Sequence, residues 1–155
     1  MRKLILATIF LSGCVTEGQM QRTTADLNAA YAKSFHPMRY EHSRHNGVDV
    51  VRTVLAGQVG QSGLNAEQQQ VIFKQIESGC GFPVDSFKEV RVVEHGPLSG
   101  YEVWVFDPQP QTNRPGTGVS VVFTYNPDTN MTKVAFSGPP QVCSWSESAR
   151  GNRPK

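Results

Sequence analysis

Three histidines, His36, His42 and His45, fall within one ten-residue stretch that also holds Glu41. Imidazole and carboxylate donors are the material of a zinc-type site, but such a site needs three or four donors converging on one point. The backbone decides whether they converge. On a helix His42 and His45 share a face; on a strand they point to opposite sides. Nucleophilic chemistry has less to draw on. No G-x-S-x-G is present, and Ser99 sits in GPLSG, which has the wrong spacing. Acidic residues are scattered without a visible pair, so an enzymatic site would have to be assembled by folding alone. No motif calls for a cofactor.

The three cysteines read differently from one another. Cys14 follows a positive start, Arg2 and Lys3, and an apolar run of eight residues, 4–11. That run is too short to cross a bilayer, which takes about 20 apolar residues. A charged start, a short apolar run and small residues after it are the marks of a secretory signal peptide. Leu11-Ser12-Gly13-Cys14 resembles the lipobox of bacterial lipoproteins. The resemblance implies removal of residues 1–13, a diacylglyceryl thioether on the Cys14 sulfur and an acylated amino group, with the lipid bilayer as first partner. One acyl chain holds marginally and several hold durably. Val15, rather than aspartate, follows the cysteine, which resembles the class sorted to the outer membrane, facing the periplasm.

Processing at that point leaves 142 of the 155 residues, enough for one domain with a core. The full chain carries 15 basic and 13 acidic residues; without Arg2 and Lys3 the two signs balance at 13 each. There is no basic stripe interleaved with aromatics, so nothing points to nucleic acid. Cys80 and Cys143 remain. In an oxidising periplasm they are expected to pair, closing a loop of 64 residues (80 through 143). Chain entropy alone puts such a loop at roughly 4 kcal/mol. A redox pair is the other reading, but those usually lie close together, as in C-x-x-C.

These residues need elements to position them. Residues 15–22 read as a polar tether. Thr23-x-x-Asp26 resembles a capping box, with Leu27, Ala30, Tyr31 and Phe35 at helical spacing and Pro37 ending the run. Asn46-Gly47 signals a hairpin across residues 38–55. A two-residue turn there sets Arg44 opposite Asp49 and Glu41 opposite Arg52, and one face then carries Met38, Tyr40, His42, Val51 and Leu55. A helix over 48–55 is the rival, disfavoured by the β-branched content. Gly57, Gly60 and Gly63 read as a flexible loop. Asn65, with Gln68 three residues on, starts a second helix whose inner side holds Val71, Ile72 and Ile76 and whose stop is Gly79.

From Lys88 the pattern turns to strands: KEVRVVEH, GYEVWVF, TGVSVVFTY and MTKVAF, separated by turn residues. The expected fold is α+β: one or two helices on an antiparallel meander, with an additional N-terminal hairpin, forming a single domain over 23–145 and a polar tail over 146–155. Alternation places Tyr101, Val103 and Val105 in the core with Val90, Val92, Val121 and Phe123. The opposite face then presents Val93, Trp104, Phe106 and Val122, interleaved with Arg91, His95, Glu102, Ser120, Thr124 and Lys133; either the first helix or the hairpin covers it, or it is a candidate surface for a protein or cell-wall partner. The proline-stiffened loop 106–118 is a second candidate. The expected function is a lipid-anchored, non-enzymatic accessory factor that binds an envelope macromolecule. The alternatives are a cell-wall hydrolase with a folded-up site and a metal-binding lipoprotein using His36, His42 and His45.

Overall fold

The computed structural model describes residues 17–109, 116–138 and 143. The lipobox, the prolines at the centre of the 106–118 loop and the polar tail therefore lie outside the described residues. Among the described residues two α-helices and seven strands are present, in two antiparallel sheets. They run in the order α1 (Glu17–Lys33), β1 (Met38–His45), β2 (Val48–Leu55), β3 (Gln58–Gly60), α2 (Ala66–Cys80), β4 (Phe87–His95), β5 (Ser99–Phe106), β6 (Thr117–Asn126) and β7 (Met131–Ser137). This is the expected α+β architecture with the N-terminal hairpin.

The hairpin forms because Asn46 and Gly47 both take positive φ, 50° and 80°, the primed turn whose twist suits two antiparallel strands. Register follows as expected: Arg44 faces Asp49 and Glu41 faces Arg52. Only the second pair closes as an ion pair, at 2.9 Å. Arg44 turns instead to Glu17 on α1, and Asp49 to His42. The free edge of β1 is covered by a side chain: the Asn28 amide accepts from Tyr40 N–H at 2.7 Å and donates to Tyr40 C=O at 2.8 Å. That amide stands in for a strand neighbour and blunts an edge that would otherwise be open to pairing.

Local details differ from the sequence reading at four points. The first helix already runs from Glu17, so Thr23 is interior and its hydroxyl donates back to Gln19 C=O, four residues earlier, rather than capping. Residues 58–60 are an edge strand on β4, not loop; Gly57 before them has φ +79°, and a Cβ there would meet Val92 O at 2.7 Å. The second helix does begin with the Asn65–Gln68 capping box, but it continues through Gly79 and Cys80 and stops at Gly81, in the left-handed region. Val71 faces out, while Ile72, Ile76 and Phe73 face in.

The five-stranded sheet has the order β3-β4-β5-β6-β7, and both of its faces are covered. α2 lies on one, over Trp104, Phe106, Val119, Val121 and Phe123. The base of the hairpin closes the other, where Ala56 and Leu55 meet Tyr101, Val103 and Val105. Tyr101 also donates to His36 C=O at 2.7 Å and meets the Phe35 ring edge-on. Burial pushes the Tyr101 phenol above the ordinary tyrosine range. Cys80, the last residue of α2, and Cys143 lie at disulfide distance.

Candidate functional site: a histidine–glutamate pair beside a cleft

The expected binding face does not form. Trp104 is fully buried, against Phe73 and Phe87 at ring distances of 4.8 and 5.7 Å, and Phe106 stacks on Phe82. The cause is that α2 covers this side of the sheet, and a β-bulge in β4 decides which of its residues share it. His95 pairs with Gly100, which continued regularly would bring Val92 opposite Val103; instead Val92 faces Glu102, with Val93 left out as a bulge. A one-residue shift moves a whole strand's side chains to the opposite face relative to its neighbour. Val90 and Val92 therefore share the α2 side with Trp104, while Val103 and Val105 go to the hairpin side. The remaining members of the expected patch are dispersed. Val93 is on the bulge, Val122 packs into the hairpin-side core, and the Arg91 guanidinium is held by Gly57 C=O, Ala56 C=O and Glu89.

The histidine segment does not converge either. His36 Nδ1 accepts from Met38 N–H, His42 bonds Asp49 at 3.0 Å, and His45 is exposed on the other face of the hairpin. Among the described residues, no group of three or more His, Cys, Asp or Glu is placed to hold a metal ion.

The same bulge and register set a different group in place. Glu102 alternates with Gly100, Trp104 and Phe106 on the α2 side of β5 and is 0 % exposed. A carboxyl buried so deeply needs partners, and it has four. Oε1 accepts from Gly63 N–H at 2.7 Å and lies 2.8 Å from His95 Nε2. Oε2 accepts from Ser62 Oγ and from Trp104 Nε1, both at 2.8 Å. The acid thus ties the β3–α2 connection, the end of β4 and the core tryptophan together. It also orients His95: with Nε2 directed at an acceptor, Nδ1 is the nitrogen left over. A Cβ at Gly100, directly opposite His95, would run into the Phe123 ring, so glycine is required where the pair is assembled.

His95 is a third exposed, unlike Glu102. It lines a cleft of about 280 Å³ between the β4–β5 turn, the start of α2 and the β6–β7 hairpin. Leu64, Pro97, Leu98 and Phe123 supply apolar wall; Gln68, Ser99, Tyr125 and Thr132 supply polar atoms. Gln68 is itself fixed, donating to Thr132 Oγ1 at 2.8 Å. No family model matches this chain, and neither the curated proteins nor the solved structures contain a match to it.

The sequence reading counts His95 and Glu102 only among the polar residues interleaved on the Trp104 face, although a signal for a site was there. GYEVWVF places an acid between a glycine and a tryptophan at period two, so whichever face holds Trp104 also holds Glu102. Once Trp104 is core, a buried acid in search of donors follows.

Proposed function

We propose that this chain is a lipid-anchored protein of the bacterial envelope, held by acylated Cys14 in the outer membrane and facing the periplasm, and that its folded domain is a binding accessory rather than a catalyst. The contact lies at the His95 cleft, since Trp104 and Phe106 are buried. One observation carries the choice of binding over catalysis: both oxygens of Glu102 are engaged by internal donors and none of the acid is exposed. The cleft therefore meets a ligand with one imidazole and uncharged groups, not with an acid–base pair. The Cys80–Cys143 proximity supports a disulfide and with it an oxidising compartment.

Palmitate labelling of wild type and Cys14→Ser tests the anchor: label should vanish in the variant, and persistent label refutes it. A photo-crosslinker at Leu98, exposed at the cleft rim, tests the contact. It should capture an envelope component that the same probe at Val71, on the outer side of α2, does not. The His95–Glu102 pair also favours a second function, a hydrolase in which Glu102 orients His95 as general base. Turnover of a cell-wall substrate that is lost in His95→Gln would establish it over the first.

A further inference from the structure

The chemistry of the cleft narrows what it binds. Among its described lining residues there is no Lys, Arg, Asp or Glu. An ionic ligand entering there would lose its hydration without gaining a counter-charge. The first turn of α2 offers little to an anion, because the Asn65–Gln68 capping box has taken the Asn65 and Gln68 N–H groups. What the cleft does offer is an apolar wall, Pro97 and Leu98 with Tyr125 beside Leu98 on the next strand, together with the Ser99 and Thr132 hydroxyls. His95 adds one directional atom: Nε2 is engaged by Glu102, and Nδ1 is the ring nitrogen left for a ligand. A hydroxyl both donates and accepts, so it pairs with Nδ1 in either role.

Resting on the proposal that the domain is a binding accessory, we infer that the cleft takes a neutral saccharide ring, with its C–H face against Leu98 and Tyr125 and a ring hydroxyl hydrogen-bonded to His95 Nδ1. The cleft mixes polar and apolar surface in comparable amounts, and a sugar ring is the uncharged group that presents both an apolar face and several hydroxyls.

The test is a titration of the folded chain, isotopically labelled, with N,N′-diacetylchitobiose in one arm and acetyl-dialanine, which carries a free carboxylate, in the other. The imidazole nitrogens of His95 and the methyls of Leu98 are followed by NMR. The disaccharide should shift both saturably, and the peptide should not. Leu98→Ala, which leaves the Glu102 network untouched, should raise the dissociation constant at least tenfold. His95→Phe should do the same, with Leu98→Ala deciding if that variant fails to fold. Saturation by the peptide alone, or by neither probe, overturns the inference. Capture of an envelope protein at Leu98 in the crosslinking experiment alongside a silent saccharide titration would overturn the saccharide and leave the accessory function standing.

Discussion

Glu102→Gln is the sharpest perturbation available, because it keeps the shape of the side chain and changes only what its atoms can do. Two partners of Glu102 can donate and never accept: Gly63 N–H on Oε1 and Trp104 Nε1–H on Oε2. They sit on different oxygens. Whichever way the amide of glutamine turns, its NH₂ meets one of them, and a buried donor loses its acceptor. Ser62 can rotate its hydroxyl and His95 can exchange tautomer, so neither relieves the conflict. A buried group left unsatisfied costs about 1–3 kcal/mol, and bonds to a charged acceptor are stronger than neutral ones by about 1 kcal/mol. The sum is about 2–4 kcal/mol, a large part of the 5–15 kcal/mol or so that separates a typical domain from its unfolded state. Urea unfolding monitored by tryptophan fluorescence measures it, and the amide of Gly63 should lose protection in hydrogen exchange. A glutamine variant within about 0.5 kcal/mol of wild type would refute the donor-only conflict, for it would mean that the network rearranges at little cost.

Trp104→Ala should destabilise the chain by about 3–5 kcal/mol, as expected for a large aromatic removed from a packed core; denaturant unfolding checks it, and a near-neutral result would place Trp104 outside the core. Asn28→Ala should cost about 1–3 kcal/mol by uncovering the Tyr40 backbone, with faster hydrogen exchange at the Tyr40 amide as the local signature. Tyr101 should ionise later than an exposed tyrosine when followed by tyrosinate absorbance. Because its folded pKa is raised by burial, its contribution to stability is complete below the ordinary tyrosine range and is lost as pH climbs through the raised value. Tyr101→Phe should shrink the late-titrating component, leaving the part due to Tyr31, whose phenol is raised by its hydrogen bond with Tyr40.

Several elements were legible because the physics that builds them is local. Asn46-Gly47 can adopt the two positive φ angles of a tight hairpin whatever surrounds it, and the turn length then dictates which residues face each other. The Asn65–Gln68 capping box is likewise complete within four residues. Helix starts and stops were less legible: Thr23 is interior to α1, and α2 continues through Gly79, because packing overrides the propensity of a single residue.

The amino-acid sequence by itself determined the class of the fold, the hairpin with its register and the period-two strands of the meander. It is also the whole basis for the proposed anchored-envelope reading, since the resemblance of Leu11-Ser12-Gly13-Cys14 to a lipobox is a matter of adjacent residues. Which face of each strand is core was decided only by tertiary structure. Side chains alternate strictly along a strand, so the insertion of Val93 as a bulge reverses the phase of β4 against β5, and no alternation pattern within either strand records that choice. The reversal set Val90 and Val92 beside Trp104 under α2, and with both faces of β5 covered the expected binding face was lost. It also set His95 on the side of the buried Glu102, where Ser62, Gly63 and His95 gather from 40, 39 and 7 residues away, and left His95 at the wall of a cleft. Such a site depends on donors that are distant in the chain and meet only when the sheet, α2 and the connection between them have packed.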